Sequence, residues 1–433
     1  MSRTTGAAVL GAPAPRASQE PRTSLRAFCE PTPWVEGEIG QLTGLRFVAA
    51  AWVLIHHVSF VPVDTYAPYL APLAPIAAAG PLGVDLFFVL SGFVLARAYL
   101  DRWAGALRPR QLTAFLGARI ARIWPLYAVV TVAFGLWCLA RARGGQDDVV
   151  SWQAPQPDLG PWGWISQLTM TQLWQGPGVG GISFALPMWS VSAEWLAYLL
   201  FPLLALPAWW ARRWPRPVLA ALAVLWASPA TLATVAVALD ADLHVWPWFL
   251  RVVGGVTAGM LTWLVVRRIR ETPTVTRWAH RVILAVVAET LVVVYWAGSA
   301  PPTAALGVPA RLTLAVPLFP VLLGALVLAD PARPGPARWL AGARMRHGGR
   351  ISYALYLVHF PMLEVLLTAM TRFPALAPHS SGAALLLPHV LVATLLVAHL
   401  AHRWIEVPAQ RWLVAVRPAD AGRSAAGRGA ART

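Results

Sequence analysis

The chain has 433 residues, 57% of them hydrophobic and only 12% charged, with a mean hydropathy of +0.57. A soluble domain carries about 25% charged residues, so composition excludes an ordinary soluble enzyme; at roughly 20 residues per crossing there is room for about ten membrane spans. All 35 basic residues are arginine, set against 19 acids for a formal net charge of +16, an excess that in a soluble protein points to nucleic acid and here is decided by position.

Residues 1–40 are rich in Pro, Ala, Arg and Ser, and their longest apolar run is Ala7-Ala8-Val9-Leu10. That is too short for a signal-peptide core, so the stretch reads as a disordered cytoplasmic tail. Cys29 lies in it and Cys138 stands far off in an apolar run, which gives neither a disulfide framework nor a metal site. Apolar windows follow at 44–63, 81–100, 119–140, 187–208, 217–239, 246–266, 281–298, 309–329, 351–371 and 383–404. Each is long enough to cross a bilayer as a helix, the one open-chain element that satisfies its own backbone in lipid. The expected fold class is all-α and polytopic, with about ten transmembrane helices, a membrane domain over 41–408 and a cytoplasmic tail over 409–433.

Arginine placement agrees. With the N-terminus inside, only Arg141, Arg143, Arg251, Arg311 and Arg372 fall in outer segments, while Asp64, Asp147, Asp148, Asp158, Asp240 and Asp242 gather there. The positive-inside rule then holds at every loop and both termini face the cytoplasm. The basic excess is topological, and no nucleic-acid partner is expected. The long outer segment 141–186 carries Trp152, Trp162, Trp164 and Trp174 among Gly and Pro. It reads either as an interfacial aromatic belt or as a lid over an outward-facing acceptor site.

Ionisable groups inside spans are costly and mark function. Here they are His56, His57, Asp85, Glu194, Glu289, His359, Glu364 and His399, with Arg46, Arg119 and Arg122 at the inner lip. Arg46 and His57 fall within roughly 20° of one helix face, about 16 Å apart along the axis; His56 points away. Arg119 and Arg122, three apart, share a face. With Arg46 they either serve topology alone or make a set of guanidinium forks suited to phosphate. Glu194 lies about 9 Å below the outer surface, level with His57, where a carboxylate can orient an imidazole as in acyl-transfer triads. Asp85 competes for that part. Ser91 and Gly92 read as small packing residues. On the ninth span Tyr356 and His359 share a face near Ser352 and Tyr353, and either line a polar cavity or bond each other.

Six segments, in order, resemble the acyltransferase 3 family of integral membrane acyltransferases. They are Leu42-Thr43-Gly44-Leu45-Arg46 followed by His57; Gly83-Val84-Asp85-Leu86-Phe87-Phe88-Val89-Leu90-Ser91-Gly92-Phe93; and Arg119-Ile120-Ala121-Arg122-Ile123-Trp124-Pro125. Then come Trp189-Ser190-Val191-Ser192-Ala193-Glu194; Ile351-Ser352-Tyr353-Ala354-Leu355-Tyr356-Leu357-Val358-His359-Phe360-Pro361; and Arg403-Trp404-Ile405-Glu406-Val407-Pro408. Members often have Asp where this chain has Thr43, and two consecutive acids where it has Glu194-Trp195.

The resemblance implies O-acylation: an acyl group, often acetyl, passes from cytoplasmic acyl-coenzyme A to a hydroxyl of a glycan or of a secreted small molecule such as a macrolide. No permanently bound cofactor and no metal are implied, and the setting is a bacterial plasma membrane crossed many times. His57 matches the family's essential first-helix histidine, Arg46 its paired basic residue, and Arg119 and Arg122 its arginine pair. The expected roles are phosphate binding for the three arginines, general base or transient acyl carrier for His57, and orientation of His57 for Glu194 or Asp85. Ser190, Ser192, Tyr353 and His359 are the expected substrate contacts. The rival class is a transporter or exporter, which buried ionisable groups also suit, although no internal repeat is visible.

Overall fold

A computed structural model of the protein describes residues 37–415 apart from 104, 152, 154, 177, 179–180, 229–245 and 298–309. Most of the tails expected over 1–40 and 409–433 lies outside the described residues. Among those residues the regular structure is all helix. The long elements are α1 (Gly40–Val58), α2 (Leu82–Trp103), α3 (Pro109–Arg143), α4 (Trp189–Ala211), α5 (Arg216–Trp226), α6 (Pro247–Val266), α7 (Pro273–Ala297), α8 (Leu318–Leu328), α9 (Ala343–Arg372) and α10 (Ser381–Ala401). Helix starts follow local chemistry: α3 and α6 begin on proline, whose fixed φ suits the first turn. At α10 the Ser380 hydroxyl caps the Ala383 N–H at 3.1 Å, an N-cap bond.

Among the described residues, eight helices are long and apolar enough to cross a membrane, against the ten windows of the sequence. The difference has two sources. The window at 217–239 begins as α5 and then runs outside the described residues. α1, with 19 residues, is long enough but carries Gln41, Thr43, Arg46, His56 and His57. It tolerates them because it packs against α2 and α9, where its polar face meets protein instead of lipid. α10 continues through a π-helical turn, His402–Glu406, into a last helix, Val407–Ala415, so helix extends past the expected boundary at 408.

Of the eight spans, α2, α6 and α9 are the most buried and α7 and α10 the least. Close packing at this centre depends on glycine. A Cβ on Gly92 would run into the Val256 carbonyl of α6, and one on Gly349 into the Thr43 carbonyl of α1, so small residues let these backbones approach. The same α2–α6 seam holds a buried ion pair: Arg251 donates through Nε and Nη2 to the two carboxylate oxygens of Asp85, both at 2.9 Å. Arg251 therefore belongs inside α6 and not among the outer-segment arginines, because its bidentate partner satisfies it within the protein.

The connection between α3 and α4 folds back against the middle of α3. Trp124 donates to the Leu168 carbonyl at 2.9 Å and Tyr127 to that of Gln167 at 3.0 Å. Trp162 is exposed while Trp164 packs on Phe184, ring centres 4.9 Å apart. This segment is thus a packed part of the protein, with only some of its tryptophans outward.

Candidate active site

α1, α2, α3, α4 and α9 surround a cavity of about 90 Å³, room for several waters. Its polar wall comprises Arg46, Ser91, Arg119, Arg122, Ser190, Glu194, Tyr198, Ser352, Tyr353 and Tyr356, and its apolar wall includes Val84, Phe87, Phe88 and Ile123. Arg119 is held in place: Nη2 donates to the Tyr99 hydroxyl at 3.3 Å, and the guanidinium sits 5.7 to 5.8 Å from the Tyr99, Phe115 and Tyr198 rings, within cation–π range. Arg46 and Arg122 have no hydrogen bond and no ion pair within 4.0 Å among the described residues. The charges of Glu194 and Glu406 act on Arg122 only from further away. Both side chains are half-buried; a guanidinium held away from bulk water without a direct carboxylate partner is expensive, and both line the cavity.

Glu194 faces these arginines. It accepts from Ser91 at 3.2 Å and from Tyr198 in a short contact. Across the cavity the Ser190 and Tyr356 hydroxyls lie 2.6 Å apart, and both reach the Pro187 carbonyl at 3.0 Å. Tyr353 lines the cavity and donates to the Ile123 carbonyl at 2.6 Å.

His57 lies beyond Tyr356. Its Nδ1 is 2.8 Å from the Val53 carbonyl and 3.2 Å from Nε2 of His359, whose own Nδ1 is 3.1 Å from the Leu355 carbonyl. Carbonyls only accept, so Nδ1 carries the proton on both rings, and neutral His359 accepts from His57 through Nε2. This fixes the His57 tautomer and leaves Nε2 as its basic nitrogen. Tyr356 separates this pair from the arginine cavity, its ring 5.7 Å from that of His359. His56, one residue earlier, turns to the Ala77 carbonyl at 2.9 Å.

Of the expected site residues, Arg46, Arg119, Arg122, Glu194, Ser190 and Tyr353 share one cavity. Three expectations need correcting. The group bonded to the His57 ring is His359, not Glu194, which points to Ser91 and Tyr198. Asp85 does not serve His57 either, because Arg251 engages both its oxygens. Ser192 is 0% exposed, donates to the Met170 carbonyl at 2.7 Å and accepts from the Leu173 N–H at 3.3 Å; it pins the connection between α3 and α4 instead of facing the cavity. Tyr356 and His359 do not bond each other: the first lines the cavity and the second serves His57. Sequence reading missed Ser91, taken as packing, and Tyr198. Tyr198 lies one helix turn from Glu194, which was the signal available for it, and Ser91 stood inside a segment already singled out.

The fold and this polar centre are those of a polytopic membrane protein with a site enclosed among its helices. The acyltransferase domain family, Acyl_transf_3, matches residues 39–403, and the chain belongs to that family. It is 27% identical over 394 residues to acyltransferase MdmB of Streptomyces mycarofaciens, covering 87% of this chain and 93% of that protein. A shorter likeness, 41% over 90 residues, is to protein 2 in the picA locus of Rhizobium radiobacter, covering 20% of this chain and 39% of that protein. No solved structure matches the chain.

Proposed function

We propose that the protein is an O-acyltransferase of the cell membrane that moves an acyl group, acetyl in the simplest case, from acyl-coenzyme A to a hydroxyl of a carbohydrate or macrolide-like acceptor. The observation that carries this reading is the pair of guanidiniums, Arg46 and Arg122, that have no direct partner among the described residues and face one cavity beside Arg119. Guanidinium forks suit phosphate oxygens, and a nucleotide thioester brings several. In this reading both termini and the arginine end face the cytoplasm, where the donor is made. The pantetheine arm runs along α1 past Tyr356 toward His57, about 16 Å along the helix.

At His57 the acceptor oxygen attacks the thioester carbon, the C–O bond forms and the C–S bond breaks. The hydroxyl proton passes to Nε2 of His57 and then to the leaving thiolate. His359 and the Val53 carbonyl hold the ring and stabilise the imidazolium through its Nδ1–H.

The test supplies membranes bearing the full chain with acetyl-labelled acetyl-CoA and an extract of glycan and secondary-metabolite acceptors. Covalent label is expected in a product from wild type, and about 10²- to 10⁴-fold less from His57→Ala at equal membrane insertion. Equal labelling by His57→Ala, or vesicle uptake with no covalent product, overturns the reading; the latter outcome favours transport.

A further inference from the structure

A second, smaller chamber is walled by His57, Phe60, Phe360, Leu363, Glu364 and Leu367. Two polar groups interrupt its apolar lining. Glu364 is 1% exposed, and its Oε1 is well used: it accepts from the Ser151 N–H at 2.9 Å and the Ser151 hydroxyl at 2.6 Å, with the Arg141 guanidinium 3.8 Å away. Its Oε2 has no hydrogen-bond partner among the described residues. A buried carboxylate oxygen without a donor is costly and demands a cause. His57 has Nδ1 turned to Val53 and His359, so Nε2 is the nitrogen left for the chamber, and in the neutral ring it too is an acceptor. The two polar groups are thus both acceptors.

We propose that this chamber takes the reacting edge of the acceptor substrate and is built for two adjacent hydroxyls, the 1,2-diol of a sugar. The hydroxyl that is acylated donates to Nε2 of His57, and its neighbour donates to Oε2 of Glu364. The proposal rests on the transferase reading above. The free space is about 10 Å³, close to what one water requires. A water donating both protons satisfies the same two acceptors until a diol displaces it, entering past Phe60, which is 40% exposed. On transfer the acylated hydroxyl loses its proton to His57 and thence to the thiolate, while the neighbouring hydroxyl keeps its own and Glu364 ends unchanged.

Glu364→Gln tests this with little change of shape. Ser151 donates twice to one oxygen and Arg141 stands beside it, so the amide oxygen of the variant side chain takes that place. Its NH₂ then faces the chamber, turning an acceptor into a donor. Membranes bearing the full chain are given acetyl-labelled acetyl-CoA with methyl glucoside or its 3-deoxy counterpart, which keeps isolated hydroxyls but no adjacent pair. Wild type is expected to prefer a diol about ten- to a hundred-fold; in the variant the ratio should fall to about one with the KM for acetyl-CoA unmoved. If His57→Ala abolishes transfer while Glu364→Gln keeps the diol preference, the diol site is wrong and the transferase reading stands. If His57→Ala transfers as well as wild type, the transferase reading itself fails. An experimental structure of the full chain in lipid decides the case independently of any acceptor: one water bonded to both His57 Nε2 and Glu364 Oε2 is expected, and an Oε2 bonded to a protein donor overturns the proposal.

Discussion

Two arginine sites lie within the same bundle, one buried and one half-buried, and they differ in what faces them. At the α2–α6 seam Arg251 meets Asp85 through two bonds of 2.9 Å and lies near the Trp189 ring, 5.4 Å from its centre. In the cavity among α1, α2, α3, α4 and α9, Arg46 and Arg122 meet no carboxylate within ion-pair distance among the described residues. A charge placed in a membrane needs a partner. The first carries its own and is structure; in the proposed reading the second leaves its donors to a ligand.

The largest effect that can break this contrast is on the first cluster. Asp85→Ala strands the Arg251 charge and should cost about 3–5 kcal/mol, read as loss of folded protein and a lowered unfolding temperature in detergent. The double change Asp85→Leu with Arg251→Met, which removes both charges, should recover most of that loss. On the second cluster, Arg122→Ala should leave the unfolding temperature unchanged and raise the KM for acyl-CoA about ten- to a hundred-fold, with little change in the KM for acceptor. Equal shifts in both constants would count against phosphate binding. His359→Ala should lower kcat about ten-fold through loss of the His57 tautomer lock, with the KM for acyl-CoA steady. Smallest is Tyr356→Phe: Ser190 keeps its own bond to Pro187, so stability should fall by about 1 kcal/mol in thermal unfolding.

Helical spacing made part of this legible in advance. Arg119 and Arg122 share a face because they are three residues apart, and Arg46 joins them because the first and third spans meet at the same depth. Partners across helices were not legible. His57 and His359 are separated by 302 residues, and Asp85 and Arg251 by 166, so no spacing rule within one helix can pair them. Depth matching suggested Glu194 for His57, but depth fixes only height along the bilayer and not azimuth about each helix. Glu194 took Ser91 and Tyr198, and the imidazole took another imidazole. Arg251 was misread for a related reason, since a charge near a span's end resembles a loop charge until its partner is seen. The ten apolar windows were a sound guide to the helices, but α1 shows that a buried helix need not be apolar.

The most direct test of the central claim is acetyl-CoA binding to the full chain in lipid nanodiscs, measured by calorimetry for wild type and for Arg46→Ala with Arg122→Ala. Saturable binding by wild type, weakened at least ten-fold (about 1.4 kcal/mol) in a double variant that unfolds at the same temperature, is the result expected. Equal affinity of the two proteins would mean that these guanidiniums do not hold the donor, and the division between structural and functional arginines would fall.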